Sequence, residues 1–152
     1  MPDISGFTDF VNSTEVEHSM HIIAELLEII LDNTSLGLEL VEIEGDALFM
    51  YTTAIPDYEG LMNQANKMLK AFHQHTVNYD KMRICDCGSC RTTTNLELKF
   101  LVHYGDLSYI KVKHIVKPYG SDVIKIHRLL KNKITLNEYI LFTNAVHEIV
   151  RY

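Results

Sequence analysis

Apolar and polar residues recur along this chain with two different periods, and the switches between them predict its elements. Met1 to Ile4 is a short apolar stretch that reads as a first strand. Thr14-Glu15-Val16-Glu17 carries a Thr-x-x-Glu capping box, and Val16, Met20, Ile23, Leu27 and Ile30 follow at spacings of 4, 3, 4 and 3. That stripe predicts a helix with one buried face, ended by Asn33-Thr34-Ser35. Leu36 to Ile43 alternates as a strand, Glu44-Gly45-Asp46 is a tight turn, and Ala47 to Thr53 reads as the returning strand. Ile55-Pro56-Asp57 opens a second helix whose inner face carries Leu61, Ala65, Met68, Leu69 and Phe72. Asn95 to His103 and Leu107 to Ile115 are then expected to form a second hairpin around Tyr104-Gly105-Asp106. Ser121 to Leu130 reads as a third helix, Glu138 to Thr143 as a last strand and Ala145 to Val150 as a short terminal helix.

The first six of these elements follow the β-α-β-β-α-β order of a ferredoxin-like fold. The expected class is α+β, with an antiparallel sheet and helices packed on one face. No internal repeat, low-complexity segment or linker interrupts the chain, so residues 1–152 read as a single domain. The first strand has little room to form, which suggests a start upstream or a cut at an internal boundary.

Composition narrows the function. The chain has 152 residues, of which 47% are hydrophobic and 22% charged, as in an ordinary soluble domain. Its net charge of −6 argues against a nucleic-acid partner, which would need a basic stripe. The longest apolar run, Ile22 to Leu31, is broken by Glu25 and Glu28 and falls short of the ~20 residues of a membrane span. The start of the chain lacks a basic region followed by an apolar core, so no signal peptide is read and the cytoplasm is the expected compartment.

Candidate chemistry begins with two aspartates. Asp3 ends the first strand in Pro2-Asp3-Ile4-Ser5-Gly6-Phe7-Thr8, and Asp46 sits at the turn of the first hairpin. In a ferredoxin-like sheet these strands are neighbours, so the two carboxylates can converge. Paired carboxylates and phosphate oxygens hold Mg²⁺ or Mn²⁺, hard cations that prefer oxygen. Gly6 and Phe7 then lie where backbone N–H groups can meet phosphate. Taken singly, each Asp is an ordinary turn or cap residue. Their joint placement favours the metal reading.

These segments resemble the cyclase-homology domain of class III adenylyl and guanylyl cyclases. Asp3-Ile4-Ser5-Gly6-Phe7-Thr8 is similar to that family's first strand, and Val41-Glu42-Ile43-Glu44-Gly45-Asp46-Ala47 to its first hairpin. His103-Tyr104-Gly105 resembles its His-x-Gly strand end, and Tyr119-Gly120-Ser121-Asp122-Val123 through Arg128 its aromatic-Gly helix. The resemblance implies a homodimer with the site between two domains. It implies that Asp3 and Asp46, with Ile4 beside them, bind divalent metal, and that Gly6, Phe7 and Thr8 meet the nucleotide. Glu42 falls at the purine-reading position, where Glu marks guanine-selective members and Lys adenine readers. Arg128 matches the arginine that stabilises the transferring phosphoryl group.

Two positions depart from the pattern. Lys117 stands at the second base-reading position, where the family carries Asp, Thr, Ser or Cys, and Ile124 replaces the Asn that orients the ribose. The resemblance thus implies a purine nucleoside triphosphate bound with metal, and a slow or altered cyclase forming a 3′,5′-cyclic nucleotide and pyrophosphate. The alternatives are a degenerate cyclase-homology module with a regulatory role, and an interaction protein whose aspartates are only structural.

Cys85, Cys87 and Cys90 form a Cys-x-Cys-x-x-Cys run. Zinc takes four soft or borderline ligands, so this run supplies most of a structural Zn²⁺ site. The expected fourth ligand is His73, His75 or a residue of a partner chain; a plain loop of reduced thiols or a redox disulfide is the alternative. His18 and His21 read as surface residues, His73 and His75 as pointing to different helix faces, and His103 as structural.

Overall fold

The short apolar stretch at the start of the chain is the central strand of the sheet. A computed structural model describes residues 1–12, 15–82 and 85–150. In chain order its elements are β1 (Pro2–Ser5), α1 (Phe7–Asn12), α2 (Val16–Asp32), β2 (Glu39–Glu44), β3 (Ala47–Tyr51), α3 (Tyr58–Met82) and α4 (Gly88–Thr92). After a single turn of 3₁₀ helix come β4 (Glu97–Val102), β5 (Ser108–Val112), β6 (Ile115–Tyr119), α5 (Ser121–Leu129), β7 (Ile140–Phe142) and α6 (Asn144–Ile149). The main sheet has the order β2-β3-β1-β4-β7, antiparallel except for the parallel β4–β7 edge. Its first four strands stand in ferredoxin-like order, and the α+β class holds.

β1, β3 and β4 are covered on both sides, which is why Ala47, Leu48, Phe49 and Met50 are all buried instead of alternating. On one face Ile4, Leu48, Met50, Leu98 and Phe100 pack against Ile22, Leu26 and Ile30 of α2 and Met68 and Phe72 of α3. Phe72 and Leu98 are completely buried; each such side chain contributes ~1.5–3 kcal/mol. On the opposite face Phe49 and Leu101 pack against Ile126 of α5. The two long helices share one face as expected, and α5 covers part of the other.

Three local expectations need correction. Residues 107–115 do not form a hairpin with β4. Both edges of β4 are occupied, by β1 and β7, so β5 pairs with β6 in a separate two-stranded sheet. Their turn is Lys113-His114, with Lys113 in the left-handed region at φ 54°. In α2, Ile23, Leu27 and Ile30 of the expected stripe are buried, but Val16 and Met20 are 64% and 66% exposed, and Ser19, Ile22 and Leu26 complete the buried face. At the start of the helix the buried side is turned from Val16 and Met20 toward Ser19 and Ile22. Thr14 of the expected capping box lies outside the described residues; the N-cap is Glu15, whose side chain makes no capping bond. α1 and α4 were not anticipated, since six and five residues are too few to display a helical period.

Among the described residues, no helix is long and apolar enough to cross a membrane.

Candidate functional site

Strand alternation places the first aspartate. Asp3 projects from the α5 face of the sheet, in register with Ala47 of β3 on one side and Lys99 of β4 on the other. The second aspartate is delivered by a two-residue turn, closed by the Glu44–Ala47 pair, with Gly45 at φ +60°. The turn is fastened to β1, where the Ile4 amide donates to the Asp46 carbonyl at 3.1 Å. The two carboxyl groups are then close enough for the charge of Asp3 to act on Asp46. Lys99 Nζ stands 2.9 Å from Asp3 Oδ2 and also donates to the Leu130 carbonyl at 3.3 Å.

The electrostatics follow from this crowding. Burial, and next the charge of Asp3, push the Asp46 carboxyl up to about 6. Burial pushes Asp3 up as well, opposed by Lys99. Two adjacent carboxyls form an all-oxygen donor set, and Lys99 neutralises only one of their two charges. The site therefore fits a hard divalent cation such as Mg²⁺ or Mn²⁺. The Ile4 side chain is in the core at 2% exposure, so only its backbone can take part. Gly6 turns the chain at φ +84°, and Gly6 and Thr8 are exposed while Phe7 packs into the core.

A second constellation gathers beside α5. Glu42 and Glu44 of β2, Lys117 of β6, and Ile124, His127 and Arg128 of α5 line a surface hollow of about 470 Å³. Lys117 Nζ lies 3.7 Å from Glu42 Oε1, a loose and exposed pair. Ile124 and Arg128 share a side of α5 because they are four residues apart. Ile124 is half exposed, and the Arg128 guanidinium has no ion-pair partner among the described residues. The structure thus brings Glu42, Lys117 and Arg128 together. Asp3 and Asp46 do not line this hollow.

His103 ties the end of β4 to α5. Its ring nitrogens meet Thr143 Oγ1 at 2.8 Å and Asp122 Oδ1 at 2.9 Å. Asp122 also accepts from Lys125 Nζ and from the Asp106 amide, both at 3.0 Å. The His103 bond, then Lys125, hold its carboxyl well below the usual carboxylate range. A Cβ on Gly105 would fall 2.3 Å from Asp122 Cγ, which accounts for the glycine in His103-Tyr104-Gly105. His103 thus bridges the segment after β7 and the start of α5. A mostly apolar cavity of about 480 Å³ lies nearby, against Met50, Tyr51, Met68 and Phe100; it includes neither Asp3 nor Asp46.

The cysteines converge with a different histidine from those expected. His18 Nδ1 lies 3.1 Å from Cys87 Sγ, 3.8 Å from Cys85 Sγ and 3.9 Å from Cys90 Sγ. All four ligand atoms fall within 4.8 Å of one another and can together hold a metal ion. No thiol is in a disulfide. His73 and His75 are engaged elsewhere, with Glu138 at 2.7 Å and Glu25 at 3.1 Å, and no partner chain is needed to complete the set. His18 is thus not simply a surface residue.

Sequence reasoning missed Lys99, Asp122 and His18. Lys99 left one signal, a lysine between Leu98 and Phe100 in a buried strand, which requires an acidic partner. His18 left none beyond three cysteines short of a fourth ligand.

The fold is that of an α+β domain with a ferredoxin-like sheet. Residues 23–139 match the DUF2652 family, described as "Protein of unknown function (DUF2652)", and the chain belongs to that family. The uncharacterized protein Rv2561/Rv2562 of Mycobacterium tuberculosis is 35% identical over 123 residues, which are 81% of this chain and 58% of that protein. In fold, the chain is similar to a bacterial light-regulated adenylyl cyclase, with a TM-score of 0.62 and 14% identity over 99% of this chain and 44% of the other. A second structure of a bacterial light-regulated adenylyl cyclase superposes with a TM-score of 0.60, at 14% identity, over 99% of this chain and 43% of its own. The chain spans less than half of each of these structures and under two thirds of the mycobacterial relative.

Proposed function

We propose that this domain binds a purine nucleoside triphosphate as its divalent-metal complex, at a site completed by a second copy of the chain, and converts it slowly to a 3′,5′-cyclic nucleotide. The observation that carries this reading is the meeting of Asp3, which is buried, and Asp46, which is partly buried, on the face that also carries Glu42. Bound Mg²⁺ or Mn²⁺ would supply charge neutralisation for the triphosphate and acidify the attacking hydroxyl. Asp3 and Asp46 would hold it, with Ile4 contributing backbone only.

The rest is work for the chain's own side chains. Glu42 can accept from the N1–H and exocyclic amine of guanine, once Lys117 releases its loose pairing. Lys117 is then free for a phosphate or for the base edge. Arg128 points into the hollow and can receive negative charge developing on the α-phosphoryl group. In the reaction, the ribose 3′-oxygen bonds to the α-phosphorus, the α–β phosphoanhydride bond breaks, pyrophosphate leaves, and the hydroxyl proton passes to solvent. Because Asp3 and Asp46 do not line the hollow of Glu42, Lys117 and Arg128, the two halves are best united across a homodimer, metal half facing base-reading half.

Ile124 favours a second reading, a module that binds nucleotide and signals without turnover. It is half exposed in the hollow where a hydrogen-bonding side chain is required. Assaying GTP and ATP with Mn²⁺ at high protein concentration separates the two. Cyclic product that disappears in Asp46→Asn supports catalysis. Metal-dependent nucleotide binding without product supports the module, and no binding at all rejects both.

A further inference from the structure

Four side chains with metal-ligating atoms converge from two separate stretches of chain, outside the hollow of Glu42, Lys117 and Arg128. His18 lies in the first turn of α2, Cys85 and Cys87 in the segment after α3, and Cys90 within α4. We propose that His18, Cys85, Cys87 and Cys90 form a closed, structural Zn²⁺ site that pins the start of α2 to α4.

The spacing suits that ion. Zinc bonds of about 2.3 Å to sulfur and about 2.0 Å to nitrogen place tetrahedral ligand atoms roughly 3.5–3.8 Å apart. The three sulfur–nitrogen separations here are 3.1, 3.8 and 3.9 Å. Reduced thiols of a plain loop have no reason to surround an imidazole 67 to 72 residues away in sequence. Three thiolates and one imidazole are a complete tetrahedral set, which leaves no position open for substrate and makes the site structural. Outer contacts agree: the Cys90 amide donates to Cys87 Sγ at 3.5 Å, and the Tyr79 hydroxyl lies 3.6 Å from Cys90 Sγ. Both are placed to donate to thiolate sulfur and to orient it.

The fold has a use for such a clamp. Val16 and Met20 are exposed, so the beginning of α2 draws little anchorage from the apolar core. A metal at His18 supplies it by closing a long loop. α1 packs against both α2 and α4, so the clamp also braces the segment that follows Asp3 and Gly6.

The test uses the full chain, purified from medium supplemented with zinc, iron, cobalt and copper, with metal content read by mass spectrometry. One zinc per chain is expected. Replacement by Co²⁺ should give the intense visible bands of a tetrahedral thiolate site, His18→Cys should retain the metal with a shifted Co²⁺ spectrum, and Cys87→Ser and His18→Ala should lose it. Should those losses coincide with misfolding, the wild-type stoichiometry and Co²⁺ spectrum decide alone. Sub-stoichiometric metal with no tetrahedral Co²⁺ spectrum, an iron–sulfur chromophore, or a Cys87–Cys90 disulfide overturns the proposal. None of these readouts depends on nucleotide binding, so the cyclase reading stands or falls separately.

Discussion

Lys99 Nζ stands 2.9 Å from Asp3 Oδ2, directly across the ladder between β1 and β4. A fixed ammonium therefore already occupies part of the field that a metal would enter at Asp3 and Asp46. Lys99→Met should tighten Mn²⁺ binding at pH 8 by about tenfold, equivalent to ~1.4 kcal/mol, and lower the melting temperature of the metal-free protein. Calorimetric titration with Mn²⁺ and a thermal melt check the two effects. Unchanged affinity would mean that Mn²⁺ binds elsewhere.

Asp46 makes stability and metal binding respond to pH in opposite senses. Its carboxyl is raised from the ordinary 3.8 to about 6, so its stabilising contribution is present below the unfolded carboxylate value and is lost as pH rises through about 6. Asp46→Asn should therefore melt higher than wild type at pH 8, by on the order of 1 kcal/mol or ~2–4 °C once solvent access to this half-buried group is allowed for. The difference should vanish near pH 4. Mn²⁺ competes with the same proton, so wild-type affinity should fall by about tenfold per pH unit below ~6. A pH series of melts and titrations reads both trends.

Asp122 has the reverse sign. Held well below the usual carboxylate range by His103 and Lys125, it stabilises the fold above its unfolded value, and that contribution is lost as pH falls through the folded value. Asp122→Asn should cost about 1 kcal/mol at pH 7, with the partly open position of the carboxylate limiting the effect. The gap to wild type should close on acidification. Urea denaturation at a series of pH values checks the slope; a penalty that persists unchanged to low pH would trace to packing instead of charge.

Ile124 is the position to repair if the site performs cyclisation. Restoring an orienting hydrogen bond with Ile124→Asn should raise turnover by ~10-fold or more, since single orienting donors are worth on the order of 10²–10³ in rate. Arg128→Ala added to that variant should remove the gain. If Ile124→Asn binds nucleotide and turns it over no faster, the binding module is the correct reading.

How much was legible can be judged from particular residues. Gly45-Asp46 announced its turn because only glycine enters the φ +60° conformation there cheaply. Asp3 announced itself as a carboxylate in an apolar strand. The cysteine run announced three candidate metal ligands by spacing, but not their fourth. The partner of β4 was not legible, because Leu107 to Val112 and Ile140 to Phe142 present similar apolar patterns, and pattern specifies a face but not a neighbour.

By itself, then, the sequence determined the long elements of the core, their βαββαβ order and the residue types poised for chemistry, since those rest on periodicity, turn conformation and local spacing. Only the tertiary structure decided which groups meet. It placed Lys99 against Asp3 through strand register, gathered Glu42, Lys117 and Arg128 in one hollow through the packing of α5 and the β5–β6 hairpin, and brought His18 to the cysteines by laying α2 beside α4. Those contacts join residues far apart in the chain, and only the burial of the shared core sets the distances between them.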